Sequence, residues 1–317
     1  MENILNKKKQ GAFSKKRRKQ LVFYCCLLFI PVLQFCIFYL GVNINSILLV
    51  FKEYDVETGY RFVGFQNFIS VFKELTSTSA PMHEVLVNSL RNSFILGFLT
   101  IFVGVVLAIV FSYYIFKKNF GSGLFKIFLF LPQMISSVVL VIIFKKFIDS
   151  AVPAIFETFL GIKIPLLLSN KETIVPTLMI YSIFMSFGTQ VMMYSGAMSA
   201  ISASIVEAAE LDGCTPFKEF IFVVVPMIYP TITTFVVINV ATIFLQQMNL
   251  FSFYGPDATL GDPNRTIFGY YLFMETYSGS LVKFPRVATL GLYMTMVSIP
   301  ATYLVKWLME KFGPSED

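Results

Sequence analysis

Six long apolar stretches restrict the fold of this chain more than any other feature of its sequence. Each is apolar over about 20 residues or more, which is the length of helix that crosses the hydrocarbon core of a bilayer. They cover residues 21–42, 92–116, 125–147, 174–198, 220–245 and 287–307. Because they are continuously apolar rather than alternating, they indicate helices and not barrel strands. With 56% hydrophobic and 14% charged residues in all, the chain is predicted to be an all-α integral membrane protein with six transmembrane helices.

The basic N-terminal tail, residues 1–20, indicates how the chain is oriented. Five consecutive basic residues precede the first apolar stretch: Lys15, Lys16, Arg17, Arg18 and Lys19. Because basic residues beside membrane spans stay in the cytoplasm, we expect the N-terminus there. The stretch that follows is too long for the core of a secretory signal, so we expect it to remain as the first span. Six spans place the C-terminus in the cytoplasm as well, and we interpret the tail as an anchor on anionic lipid rather than a nucleic-acid-binding segment.

The loop after the fourth stretch carries the signals of a short helix. Ser204 followed by Glu207 matches a capping box, and Gly213 stands where a helix ends in a left-handed turn. These signals predict a helix from Ser204 to about Asp212. On it Ile205, Ala208, Ala209 and Asp212 share one face, and the small alanines would allow close contact with another protein.

A second helix start follows directly, and the charge of the loop is unusual. Thr215 is predicted as an N-cap, with Pro216 at the first helical position. Residues 204–220 contain four acidic residues and one basic residue, a net charge of −3. The predicted topology places this loop in the cytoplasm, where the charge runs against the positive-inside bias. The charges therefore indicate a partner rather than an orientation signal.

The spacing in this loop resembles the EAA loop of permease subunits of ATP-binding cassette (ABC) importers. The family pattern is Glu-Ala-Ala, three residues, Gly, nine residues, Ile, one residue, Leu-Pro. The matching residues are Glu207, Ala208, Ala209, Gly213 and Pro226, while Val223 and Val225 replace the Ile and Leu. The resemblance implies the type I ABC importer permease fold, with a transmembrane domain over residues 21–317 and a coupling loop at 199–226.

In such permeases this helix docks on the ATPase subunit, which gives Glu207, Ala208, Ala209, Asp212 and Gly213 a coupling role. Glu207 has two interpretations, a capping box with Ser204 or a charge-assisted pair with an Arg of the ATPase, and both can hold in different states.

Three further segments resemble the carbohydrate-uptake branch of these permeases. They are "FKEYDVETGYRFVGFQNF" at 51–68, "LPQMISSVVLVIIFKKF" at 131–147 and "GDPNRT" at 261–266. The resemblance implies a sugar importer in a bacterial plasma membrane, moving its substrate by alternating access. The partners it implies are a homologous second permease, two ATPase subunits, an extracytoplasmic sugar-binding protein and the lipid bilayer, with no nucleic acid.

The chain lacks the residues that several other functions need. No Gly-Lys dipeptide occurs, so there is no P-loop, and we expect ATP and Mg²⁺ to be bound by a partner ATPase while this chain is not an enzyme. The six apolar cores lack charged residues, which disfavours an ion-coupled secondary transporter. A purely structural membrane scaffold is disfavoured by the EAA spacing. A lone His83 offers neither a catalytic pair with a second His nor a zinc site, so we expect no metal.

Two polar stripes are candidates for the path of the sugar. Ser182, Ser186 and Thr189 share one face of the fourth stretch. On the fifth, Asn239, Thr242 and Gln246 stand at i, i+3 and i+7. Neutral polar groups of this kind bind sugar hydroxyls, but the same groups also join helices to one another in membranes. Both roles stay open, with the fifth stretch favoured because amides are costlier than hydroxyls in lipid.

Overall fold

The computed structural model describes residues 2–170, 172–255 and 266–314, with side chains from residue 17 onward. The helices, in chain order, are α1 (Glu2–Gln34), α2 (Val42–Leu49), α3 (Gln66–Thr76), α4 (His83–Leu99), α5 (Val106–Phe116), α6 (Ser122–Met134), α7 (Ser137–Lys146), α8 (Val152–Leu160), α9 (Ile174–Ser199), α10 (Ala203–Leu211), α11 (Pro216–Glu219), α12 (Val225–Met227), α13 (Tyr229–Ala241), α14 (Leu250–Tyr254), α15 (Phe268–Tyr277) and α16 (Phe284–Phe312). Short π-helical segments join some of them: Phe35–Gly41, Thr100–Val105, Phe147–Ala151 and Phe220–Val224.

Four continuous helical segments of the described chain are long and apolar enough to cross a membrane. They are Arg17–Leu49, His83–Phe116, Ile174–Ser199 and Phe284–Phe312. Each contains one of the predicted apolar stretches, so the helical prediction for these four is confirmed. Each of the other two stretches forms a pair of helices joined at a bend, and counting each pair as one span gives up to six. The chain is therefore a mostly helical, multi-pass membrane protein.

The third apolar stretch is bent instead of forming one helix over residues 125–147. α6 ends at Met134, and the helical segment Ser137–Leu160 leaves it at 111°. Pro132 lies inside the last turn of α6, where it has no N–H to continue the hydrogen-bond ladder. Ile135 and Ser136 then adopt extended ψ angles of 144° and 133°, which end the helix. A continuous third helix was therefore a wrong expectation.

The fifth apolar stretch is also divided, and it ends earlier than predicted. The part up to Met227 meets α13 at 70°, next to Pro226 and Pro230, which both lack a backbone donor. α13 ends at Ala241 rather than near Leu245. Two left-handed residues follow at Met248 and Asn249, with φ of 50° and 53°.

A small unit between α2 and α4 departs from the all-α prediction. β1 (Lys52–Asp55) and β2 (Gly59–Phe62) form an antiparallel hairpin in which Tyr54 pairs with Tyr60. The Asn67 amide after the hairpin donates to the carbonyls of Val50 and Lys52, both at 2.7 Å. Within residues 51–68, which resemble sugar permeases, Asn67 therefore has a structural role of closing the loop. Of the other similar segments, residues 261–265 lie outside the described residues.

Three clusters of buried apolar side chains form the interior. One of them packs α5 against α9 and α13, through residues such as Ala108, Val191 and Val236. The Ser112 hydroxyl on α5 also donates to the carbonyl of Val191 on α9, at 3.1 Å. The apolar window of the segment Arg17–Leu49 contains no buried residue, although α2 at the end of the segment contacts α16.

Candidate functional site

The short helix predicted in the charged loop is present as α10, but it starts earlier than the capping box requires. α10 begins at Ala203, and Ser202 is the N-cap, with φ −61° and ψ 132°. Ile205 therefore occupies the third helical position, where the capping box needs Glu207. Glu207 is exposed, and its carboxylate has no hydrogen-bond partner among the described residues. The Ser204–Glu207 capping box is thus wrong, and the carboxylate of Glu207 is free for an external partner.

The end of α10 follows the prediction closely. Gly213 has φ of 77°, in the left-handed region that favours glycine. The N–H of Gly213 donates to the carbonyl of Glu210 and the N–H of Cys214 to that of Ala209, both at 3.0 Å. This pair of bonds is the Schellman motif, which satisfies carbonyls that the helix end leaves without partners. The helix end predicted at Gly213 is confirmed.

The start of the following helix is also confirmed. Thr215 is the N-cap of α11, and its hydroxyl accepts from the N–H of Lys218 at 3.4 Å. Pro216 occupies the first helical position, where its missing N–H costs nothing. The loop therefore has two short helices with a left-handed turn between them.

The predicted face of α10 is divided between the interior and the surface. Ala209 is buried against the rest of the chain, whereas Ala208 and Asp212 are exposed. The free side of α10 consists of Glu207, Ala208, Leu211 and Asp212, and Leu211 is 89% exposed. Four of the five residues with a predicted coupling role, all except Ala209, are therefore accessible to a partner on this side or at the turn.

Sequence reasoning missed an ion-pair cluster that attaches this loop to the end of α5. The Lys117 ammonium lies 2.9 Å from Oε1 of Glu210 and 3.1 Å from Oε2 of Glu219. Although burial opposes the charge, these hydrogen bonds raise the pKa of Lys117 above its ordinary value. Two of the acidic residues that indicated an external partner are therefore paired within the chain. Residues about 100 positions apart give no local pattern from which to predict such a pair.

The polar stripe on α9 is present, but its hydroxyls differ in their surroundings. The Ser186 hydroxyl donates to the carbonyl of Ile183 at 2.8 Å, within its own helix. The Ser182 hydroxyl is buried without a hydrogen-bond partner in the described chain, and Thr189 is exposed. Two neighbouring polar residues of α9 were not predicted, namely Gln190 and Tyr194. Both are buried, and Oε1 of Gln190 and the Tyr194 hydroxyl have no partner among the described residues.

The stripe predicted on the fifth stretch is broken by the early end of α13. Asn239 is on the helix, and its amide nitrogen is buried without a partner in the described chain. Thr242 is the C-cap residue, and its hydroxyl donates to the carbonyl of Ile238 at 2.8 Å. Gln246 lies beyond the helix and is exposed, so it does not share a helical face with Asn239. The helical geometry of this three-residue stripe was therefore wrong.

A groove of about 1070 Å³ lies between α13 and α16. Its lining includes Thr233 and Thr234, but not Asn239 or Thr242. Among the described residues, no group of three or more His, Cys, Asp or Glu side chains could hold a metal ion.

The fold defines a multi-pass membrane protein with a short helix, α10, exposed on its surface. The chain belongs to the family described as the binding-protein-dependent transport system inner membrane component, whose model matches residues 93–315. The matched region contains α10, Gly213 and Lys117. The family is therefore established for most of the chain, including the whole loop at 199–226.

Two relatives and one solved structure show the same similarity. The chain is 26% identical to the probable ABC transporter permease protein MG188 of Mycoplasma genitalium, over 90% of this chain and 87% of that protein. It is 25% identical to the maltose/maltodextrin transport system permease protein MalF of Escherichia coli K12, over 59% of this chain but only 35% of MalF. The fold matches a crystal structure of a bacterial ABC transporter involved in the import of the acidic polysaccharide alginate, with a TM-score of 0.74, 19% identity and coverage of 94% of this chain and 98% of that chain.

Proposed function

We propose that this chain is a permease subunit of an ABC importer that carries a carbohydrate across a bacterial plasma membrane by alternating access. The observation that carries the proposal is the coupling helix α10, exposed along Glu207, Ala208, Leu211 and Asp212 and ended by the left-handed Gly213. It lies within the region that matches the family of transport components. A helix presented in this way can receive the movement of an ATPase and pass it to the helices that follow.

The proposed topology has six spans, with both termini and α10 in the cytoplasm. The four continuous segments and the two bent pairs supply the six spans. Three exposed basic residues, Arg17, Arg18 and Lys19, support a cytoplasmic N-terminus. In this arrangement the hairpin and α3 lie outside the cell, on the side where a sugar-binding protein would dock.

The proposed assembly contains this chain, a homologous second permease, two ATPase subunits and an extracytoplasmic sugar-binding protein. A similar fold occurs in a crystal structure described as a bacterial alginate ABC transporter in complex with an alginate pentasaccharide-bound periplasmic protein. This similarity supports a binding protein as a partner. ATP and Mg²⁺ would be held by the ATPase, so this chain would carry out no covalent chemistry. The apolar window of the first segment, Arg17–Leu49, has no buried residue, which supports contact with a second permease or with lipid.

The proposed sugar path uses neutral polar groups of α9 and α13. Ser182 and Asn239 each bury a polar atom without a partner in the described chain, and such an atom gains free energy when a sugar hydroxyl pairs with it. Ser186, Thr189, Thr242 and Gln246 stay candidates at the edges of this path. The sugar class is supported by the relatives named for maltodextrin and alginate. An ion-coupled transporter and a structural scaffold are not favoured by this family membership.

The test is to purify the tagged chain from its native membrane and to identify what accompanies it. We expect an ATPase, a second permease and, after crosslinking, a binding protein. Deletion of this chain should abolish uptake of one sugar in a screen that includes maltodextrins and alginate oligosaccharides. Recovery of the chain without an ATPase, or unchanged uptake of every sugar after deletion, would refute the proposed function.

A further inference from the structure

Three elements meet at the side chain of Lys117, which is the first residue after α5. Its ammonium binds Glu210, on the coupling helix α10, and both carboxylate oxygens of Glu219, at the end of α11. Beside this cluster the Tyr113 hydroxyl of α5 donates to the carbonyl of Pro216 at 2.8 Å, and its ring lies 4.8 Å from that of Phe220. The end of α5 therefore contacts the coupling loop on both sides of its left-handed turn.

The two carboxylates that share Lys117 differ in burial, and this difference separates their roles. The side chain of Glu219 is only 1% exposed, and a buried carboxylate without a counter-charge is strongly unfavourable. Lys117 therefore supplies the counter-charge that the buried Glu219 carboxylate requires. The side chain of Glu210 is 57% exposed, and an ion pair at such a site contributes little to stability. The pair with Glu210 instead sets the position of α10 relative to the Lys117–Glu219 pair.

The end of α5, where Lys117 lies, also contacts the interior of the protein. Four residues before Lys117, Tyr113 lies next to Ser112, whose buried hydroxyl bonds to the carbonyl of Val191 on α9. α5 and α9 also share an apolar cluster that includes Ala108 and Phe187. A displacement of the end of α5 is thus carried to α9, the helix with the polar stripe proposed for the sugar path.

We propose that Lys117 is a positioning residue that fastens the coupling helix α10 and the start of the second bent pair, at α11, to the end of α5. Movement imposed on α10 then reaches the second and fourth spans directly, and not only along the chain through α11. This inference rests on the proposed function, because it assigns the route by which an ATPase would act on the membrane helices. Lys117 lies outside the EAA loop, 90 residues before Glu207 in the chain.

The first test compares Lys117→Met with Lys117→Arg and Lys118→Met in the complex purified through a tag on this chain. Lys118 is the matched control, since it is the adjacent lysine, is exposed and has no ion pair in the described chain. The readouts are the amount of ATPase recovered and the stimulation of ATP hydrolysis by the binding protein loaded with the sugar that the wild type imports. We expect Lys117→Met to retain the ATPase and its basal hydrolysis but to lower the stimulation by about 5-fold or more, the lower end of coupling between sites. Lys117→Arg should retain most of the stimulation, and Lys118→Met should retain all of it.

The second test needs only this chain in lipid nanodiscs. A nitroxide at Leu211→Cys, with the four native cysteines replaced by serine, reports the mobility of α10. We expect Lys117→Met and the milder Glu210→Gln to increase the label mobility, and Lys118→Met to leave it unchanged. A purely structural role of the cluster would lower the amount of folded protein without changing stimulation in the complexes that assemble.

The outcomes distinguish the proposed function from the role of Lys117. A wild-type complex that contains no ATPase, or that the loaded binding protein does not stimulate, would refute the proposed function and the coupling route with it. Normal stimulation in Lys117→Met beside a stimulated wild type would overturn the role of Lys117 alone. Unchanged label mobility in both Lys117→Met and Glu210→Gln would also overturn it, whatever the state of the ATPase.

Discussion

At the scale of residues, some glycines stand where the packing leaves no space for a side chain. Gly188 on α9 faces α6 so closely that an added Cβ would lie 2.9 Å from the carbonyl oxygen of Leu129 and 2.6 Å from Cγ of Gln133. The Gln133 amide of α6 also donates to the carbonyl of Met185, on the same helix as Gly188. Close backbone approach at a small residue is a common way for helices to associate in membranes. Gly188 is thus a point of close contact between α6 and α9.

Gly188→Ala should destabilise the protein by about 1 to 3 kcal/mol, because the new methyl group meets a backbone oxygen that cannot rotate away. Gly196→Ala is the control on the same helix, since a Cβ there meets nothing within 4 Å. The measurement is the temperature at which half of the monodisperse protein is lost in detergent. Equal midpoints for the two variants would contradict the close packing of α6 on α9.

Gly213→Ala tests the left-handed turn after α10. An alanine at φ of 77° costs about 1 to 2 kcal/mol, although no atom lies within 4 Å of the position. Gly123→Ala, in equally open space on α6 but without positive φ, is the control. We expect Gly213→Ala to weaken recovery of the ATPase in a pull-down while expression is retained, and Gly123→Ala to behave as the wild type. Equal recovery with both would remove the turn from the coupling site.

At the scale of elements, the sequence predicts where helices occur but not where they bend. Length and apolar character were sufficient for the four continuous segments, because a bilayer imposes both. The local cap signals were sufficient for the Gly213 turn and for Thr215. The breaks after Pro132 and beside Pro226 were not predictable, because membrane helices accept proline whenever neighbouring groups satisfy the freed carbonyls. The pairing of Lys117 with Glu219 depends on packing between distant parts of the chain, which no local pattern records.

Because α13 ends at Ala241, Asn239 and Thr242 have different surroundings, and substitution of each should have a different effect. Asn239→Leu removes an amide whose buried nitrogen has no partner in the described chain, so expression should be retained. If this amide binds the sugar, its loss should raise the apparent KM for uptake by an amount corresponding to about 1 to 3 kcal/mol. Thr242→Val is the control, because its hydroxyl is already bonded to the carbonyl of Ile238. Unaltered uptake kinetics with Asn239→Leu would exclude this residue from the path, and loss of the partner permease would assign it to helix association.

At the scale of the whole molecule, an ionic cluster joins elements that are far apart in sequence. Arg286, at the start of α16, binds Glu74 of α3 at 2.7 Å and lies 3.6 Å from Glu275 of α15. Tyr271 accepts from the same guanidinium at 2.8 Å. In the proposed topology this cluster lies outside the cell, at the opposite end of the molecule from Lys117. In this topology an ionic cluster joins loops to membrane helices at each end of the molecule, around Lys117 at one end and around Arg286 at the other.

The topology predicts opposite labelling of two positions in intact cells. With Cys25, Cys26 and Cys36 removed, Ser70→Cys on α3 should react with an impermeant thiol reagent, because Ser70 is exposed on the side proposed to be external. Cys214, beside the coupling helix, should react only after the membrane is opened. Labelling of Cys214 but not of Ser70→Cys in intact cells would show that the proposed orientation is reversed. Labelling of both positions in intact cells would disprove a topology of six spans with α10 in the cytoplasm.

The exposed first segment has a consequence for the biogenesis of the protein. Since the apolar window of Arg17–Leu49 buries no residue against later parts of the chain, its insertion does not depend on residues that the ribosome has yet to add. His83–Phe116, in contrast, has a third of its apolar window buried, and its packing must await the synthesis of α9. We expect nascent chains arrested shortly after the first segment to be already anchored in the bilayer. Translation can thus secure the orientation of the molecule before any of its interior exists.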